Sequence, residues 1–128
     1  MINTHIVKEY EHVGEKVIDW CVDNFGLSKY HEYDPWLDFD DDDLNIMGEY
    51  NIDENTITIY TNEIKNVDDL IETIIHEYVH YLQRPSWYTR YINMGYKDEN
   101  NPYEMIAETI AINNLKQCKI EALNETTN

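Results

Sequence analysis

The stretch VDDLIETIIHEYVHYL, running from Val67 to Leu82, decides how the rest of the chain is read. Val67, Leu70, Ile71, Ile74, Ile75, Val79 and Leu82 recur at three and four, the spacing of one apolar helix face. Asn66 stands ahead of it as an N-cap, Asp69 follows in the capping-box position, and Pro85 closes the segment. Inside this helix lies His76-Glu77-Tyr78-Val79-His80, an H-E-x-x-H pattern. Side chains four residues apart share one face about a turn apart, so the two imidazoles can meet one tetrahedral Zn²⁺ at ~2.0–2.1 Å each. Glu77 projects beside such a metal rather than onto it. There it can take a proton from an activated water and pass it to a leaving amine.

Chance placement of the five histidines of this chain would create the pattern in roughly 2% of such sequences. The plainer reading, two ordinary histidines on a half-buried helix, is outweighed by the setting, because the pattern falls within the helix it requires and among Ile74, Ile75 and Val79. A catalytic zinc takes a third protein ligand and keeps a position for water. The extended H-E-x-x-H-x-x-G-x-x-H form is absent, since position 83 is Gln83 and position 86 is Ser86. No histidine follows His80, so a third ligand from downstream must be a carboxylate. Glu104 and Glu108, a turn apart on the last predicted helix, are the candidates. Glu104 stands three residues after the Asn101 cap and could instead complete a capping box, which would leave Glu108 as the ligand. With Glu104 as ligand, Glu108 can hold the far nitrogen of a ligand histidine.

Outward from this centre, apolar residues from Ile6 to Phe25 predict an amphipathic N-terminal helix over about His5–Phe25, stopped by Gly26. Leu27 to Asp43 reads as a loop holding Pro35 and the acidic run Asp38-Phe39-Asp40-Asp41-Asp42-Asp43. Thr56-Ile57-Thr58-Ile59-Tyr60 alternates with period two and predicts a strand, paired through an Asp53-Glu54-Asn55 turn with a partner within Leu44–Asn51. Residues 86–100 are a tyrosine-rich loop or short helix. Asn101-Pro102 opens the last helix, with Tyr103, Ile106, Ala107, Ile110, Ala111 and Leu115 as its apolar positions and a polar tail fraying from Glu121. The expected fold class is α+β in one domain, 1–128, with its core over about 44–118: an N-terminal helix, a small sheet or hairpin, and the motif helix packed on a C-terminal ligand helix.

The whole chain sets bounds on function. Its 128 residues are 42% hydrophobic, room for one domain with a real core. Nine Lys+Arg against 26 Asp+Glu give a net charge of −17, which repels phosphate backbones and anionic membranes and argues against direct nucleic-acid binding. Cys21 and Cys118 form no C-x-x-C motif and read as buried, reduced thiols. The first residues carry charge where an export signal needs an apolar run, and no apolar stretch approaches the ~20 residues a membrane span needs. These features predict a monomeric bacterial cytoplasmic protein, or one of the host cytoplasm if phage-encoded. The acidic run lacks the spaced ligands of an EF-hand and reads as a solvated loop. Tyr81, Tyr88, Tyr91, Tyr96 and Tyr103 include candidate donors to a tetrahedral oxyanion, and spacing singles none of them out. His5, His12 and His31 read as residues outside the site.

From Gly48 to about Ala111 the chain resembles minimal gluzincin-type metallopeptidases, such as the SprT-like and ImmA/IrrE-like groups and small phage-encoded relatives. The likeness rests on the Thr56–Tyr60 strand, the His76–His80 motif and Tyr103-Glu104-Met105-Ile106-Ala107-Glu108. It implies a zincin-like fold in which His76, His80 and Glu104 hold Zn²⁺, Glu77 is the general base, and a peptide or protein is the substrate. It also implies that segment 56–60 lines the cleft, as an edge along which an extended peptide adds. Departing from that likeness, the sequence leads us to expect no further domain for substrate choice, and it shows no accessory motif of one subgroup. Two rivals stand against a peptidase: an acidic decoy that mimics DNA, and a non-catalytic zinc protein of the same fold.

Overall fold

The structure is a computed structural model that describes residues 4–124, with side chains from Lys8 onward. The readings placed on His5, Ile6, Val7 and residues 125–128 therefore lie outside the described residues or side chains. The fold is α+β: helix α1 (Thr4–Phe25), strands β1 (Trp36–Asp40), β2 (Gly48–Asn51) and β3 (Thr56–Tyr60), then helices α2 (Val67–Leu82), α3 (Pro85–Asn93) and α4 (Pro102–Leu123). None of the described helices is long and apolar enough to cross a membrane.

On α1 the predicted stripe turns inward, with Val17 and Cys21 fully buried and Ile18 nearly so, and Trp20, beside that stripe, is buried as well. The helix stops at Gly26, whose φ of +81° favours glycine and whose N–H closes the last turn on the Val22 carbonyl at 2.9 Å. The core thus draws on α1 as well as on the 44–118 segment, and it joins Ile57 and Ile59 to Leu70, Ile71, Ile74, Ile75, Tyr78 and Tyr81.

Part of the expected loop 27–43 is a strand. β1 pairs in parallel with β3, Leu37 beside Ile57 and Phe39 beside Ile59. The alternation of Leu37 and Phe39 is obscured by Asp38 and Asp40 between them and by Pro35, which is harmless just before the first residue of an edge strand. The hairpin forms as expected, β2 antiparallel to β3, with Asn55 in a left-handed conformation at φ +50°. The sheet order β1-β3-β2, however, puts β3 in the centre. Segment 56–60 therefore offers no edge to a peptide, because β1 takes one side and β2 the other. The open edge next to α2 belongs to β2. Tyr60 N–H bonds the Met47 carbonyl at 2.9 Å, so in the alternating ladder Gly48 and Tyr50 turn their own N–H and C=O groups away from β3.

The start of α2 follows its sequence closely. Asn66 Oδ1 accepts from Asp69 N–H at 2.8 Å, while the Asp69 carboxylate reaches back to Lys65 N–H at 3.1 Å, one residue earlier than a standard box. The tyrosine-rich segment begins as α3. On α4, Ala107, Ala111 and Cys118 are buried, and the small alanines let α4 lie close on α2. Ile106, expected on the apolar face, is 47% exposed, a quarter-turn round from that stripe. Nor does the helix fray at Glu121. It runs to Leu123, and Glu121 Oε1 accepts from Trp20 Nε1 at 2.8 Å, joining the ends of α1 and α4. Cys21 and Cys118 are free and fully buried, and burial pushes the Cys118 thiol up to about 12.

Candidate metal centre

Helix α2 presents His76 and His80 side by side, ring centroids 5.0 Å apart. Facing them is Glu104, in the first turn of α4. Its Oε1 lies 2.6 Å from His76 Nε2 and 2.7 Å from His80 Nε2. The three candidate ligand atoms all fall within 4.8 Å of one another. Ligand atoms around a tetrahedral zinc with bonds of ~2.1 Å stand ~3.4 Å apart, so a carboxylate shift of under ~1 Å makes room for the ion. Two imidazole nitrogens and one carboxylate are a donor set that suits zinc, and the residues fit that group.

The structure also separates the two candidate glutamates. Glu104 does not close a capping box. Asn101, fully buried, caps α4 alone by accepting from Tyr103 N–H at 2.9 Å, which leaves the Glu104 carboxylate free to turn to the histidines. Among the described residues Glu108 bonds neither histidine. It lines a pocket beside His76 instead. The far nitrogen of His80 is held by a residue sequence reasoning missed: Nδ1 lies 2.7 Å from Gln83 Oε1, and Gln83 Nε2 donates to the Tyr103 carbonyl at 3.0 Å. Gln83 is the C-cap of α2, three residues after His80, a spacing that brings the two side chains together.

Charge in the centre is tightly coupled. Burial works to lower the His80 pKa, but the Glu104 hydrogen bond and the charges of Glu77 and Glu104 outweigh it and hold it above its ordinary value. Burial alone would raise Glu104, yet hydrogen bonds from both histidines keep its carboxyl well below the usual range. Burial pushes Glu77 up against the opposing pull of His80 and His76. Glu77 is 8% exposed, its carboxylate takes no hydrogen bond among the described residues, and its Oε2 lies 4.0 Å from His76 Nε2.

Two pockets meet at Gly48 and Glu77. One, of about 470 Å³, runs past His80 and Glu104 between Tyr50, Tyr88 and Tyr103. The other, of about 360 Å³, runs past His76 toward Glu72 and Glu108. Gly48 is required where they join: a Cβ there would stand 2.7 Å from Thr73 Cγ2 and 2.9 Å from the Thr58 carbonyl oxygen.

Among the tyrosines, geometry singles out Tyr88. Its hydroxyl donates to Asp98 Oδ1 at 2.9 Å and lies 3.2 Å from Glu104 Oε2, and burial raises its pKa so that the proton stays on at neutral pH. Tyr81 is a core residue whose hydroxyl bonds the Tyr33 carbonyl. Tyr91 packs between Tyr96 and Tyr103. His31 stacks on Tyr81 and bonds the Tyr50 hydroxyl at 3.0 Å, outside the centre as expected. In the acidic run, Asp40, Asp41 and Asp42 come together, with Asp40 Oδ1 accepting from Asp42 N–H at 2.9 Å.

Compared with known proteins, the chain matches no family model, no curated protein and no solved structure.

Proposed function

We propose that the protein is a zinc-dependent metallopeptidase of zincin-like fold, acting as a monomer on peptide or protein substrates in the cytoplasm. The observation that carries this reading is the meeting of His76, His80 and Glu104 on one point, beside a buried, unbonded Glu77 at the junction of two open pockets. His76, His80 and Glu104 would hold the ion. When bound, zinc supplies a Lewis acid that polarises the scissile carbonyl and activates a water.

The remaining work falls to the chain itself. Glu77 takes the proton of the attacking water and delivers it to the leaving nitrogen. Burial raises its pKa above that of an ordinary carboxyl, which makes it a better proton acceptor. The Tyr88 hydroxyl, turning its one proton from Asp98, donates a hydrogen bond to the oxygen that gains charge on the carbonyl. Gln83 fixes the His80 ring by accepting from Nδ1–H, which points Nε2 at the site. The β2 edge offers the outward N–H and C=O groups of Gly48 and Tyr50 to an extended peptide.

A purely structural zinc would be enclosed, whereas here the centre opens on both sides. An acidic decoy would leave the three-residue convergence without a role. The test is turnover of a peptide mixture by the zinc-loaded protein and by Glu77→Gln. The reading expects cleavage that chelation stops and that the variant lacks, with zinc retained. Unchanged turnover in the variant would sink it.

A further inference from the structure

The pocket on the His76 side differs in chemistry from its neighbour. Its far end carries Glu72, one turn before His76 on α2, and Glu108, one turn after Glu104 on α4. The apolar part of the lining is made by Met47 and, a turn further along α4 than Glu108, by Ala111 and Ile112. Glu77, more than nine-tenths buried and without a hydrogen bond, opens into the same space. The lining contains no lysine or arginine. Lys119 on α4 pairs with Asp68 at 2.8 Å, a turn before Glu72 on α2. Two carboxylates thus face one cavity whose lining supplies no cation to match them. On the other side of the centre, Ile46, Tyr50, Ile52 and Tyr103 line the second pocket, together with Glu49 and Arg84, which carry opposite charges.

We propose that the Glu72–Glu108 pocket is a specificity subsite for a lysine or arginine side chain of the peptide, next to the scissile bond. A basic side chain fits because it is amphipathic. Its methylene stem packs against apolar lining atoms such as those of Met47, and its charged head reaches the Glu72 and Glu108 carboxylates, with Ala111 and Ile112 closing the pocket beyond them. An acidic side chain in the same place would meet two like charges, and a purely apolar one would bury Glu72 without a partner. In the opposite, aromatic pocket Arg84 offsets Glu49, whose carboxylate already accepts from the Tyr60 hydroxyl, so the basic residue belongs on the Glu72–Glu108 side of the cut. The inference rests on the peptidase reading.

The test is to digest a degenerate peptide mixture with zinc-loaded wild type and with Glu108→Lys and Glu72→Gln, mapping every cut by mass spectrometry and measuring zinc in each protein. Glu108 is exposed, so its replacement spares the fold. Expected is enrichment of Lys and Arg by about tenfold at one position flanking the cut, the size of one modest charge pairing. Glu108→Lys abolishes that enrichment and admits Asp and Glu at the same position, Glu72→Gln weakens it, and both keep their zinc. Cleavage without basic preference, or a preference unchanged in Glu108→Lys, overturns the subsite and leaves the peptidase reading standing. A zinc-loaded wild type that cuts nothing overturns both.

Discussion

His80 and Glu104 stand 24 residues apart in the chain, yet Nε2 of one lies 2.7 Å from Oε1 of the other. The other nitrogen of His80 meets Gln83 Oε1 at the same 2.7 Å, so both ring nitrogens face acceptor oxygens, which favours the protonated ring and holds its pKa above the ordinary value. A metal ligand must be a neutral imidazole, so metal uptake has to displace that proton.

The direction of the pH dependence follows from this pairing. His80 lies above its ordinary 6.5, so its share of stability is present below that value and is lost as pH rises through its raised pKa. Glu104 lies below its ordinary 4.5, so its share is present above that value and is lost as pH falls through its depressed pKa. The cluster without zinc is therefore most stabilising between about 4.5 and 6.5, and zinc competes better as pH rises above that window. Titration calorimetry in buffers of different ionisation enthalpy should show more protons released on zinc binding at pH 6.5 than at pH 9. Equal release at the two values would contradict the account.

Gln83→Ala leaves His80 without the acceptor that fixes its ring. Zinc affinity, read by competition with a chelating dye, should fall about 10–100-fold. Gln83→Glu, which keeps an acceptor oxygen, should retain most of it. A Gln83→Ala protein with wild-type affinity would show that His80 is oriented by something else.

Tyr88→Phe removes one hydroxyl and little volume. Steady-state kinetics should give a kcat about 100-fold lower, with KM and zinc content near wild type, as for loss of a single oxyanion donor. A change confined to KM would place Tyr88 in binding rather than in stabilising the developing charge.

Gly48→Ala tests the join between β2 and α2. The added methyl would meet Thr73 Cγ2 at 2.7 Å, so one element must move, at a cost of about 1–3 kcal/mol. Thermal unfolding should show a midpoint several degrees lower. An unchanged midpoint would mean that this contact relaxes freely.

What could be read from the sequence was what local periodicity and spacing encode. The stripes of α1 and α2, the Asn66 and Asn101 caps and the alternating β3 all appear where the residues predicted them. β1 was hidden because Asp38 and Asp40 on its outer face disguise the inward pair Leu37 and Phe39, and because its stability comes from β3, some 20 residues away. The strand order was hidden for the same reason. A hairpin predicts that β2 meets β3, but nothing local says that β1 takes the other side. At the candidate centre, helical spacing brought His76, Glu77 and His80 onto view and narrowed the carboxylate to Glu104 or Glu108. Choosing between these, and finding Gln83 and Tyr88, needed the packing of α4 and α3 against α2.

The central claim is that His76, His80 and Glu104 hold a zinc ion, and metal content of the purified protein tests it most directly. Wild type should carry one zinc per chain, Glu108→Ala should match it, and His80→Ala and Glu104→Ala should lose the ion or bind it far more weakly. A wild type that takes up no zinc even when supplied, or a Glu104→Ala protein that holds it as tightly as wild type, would contradict the account.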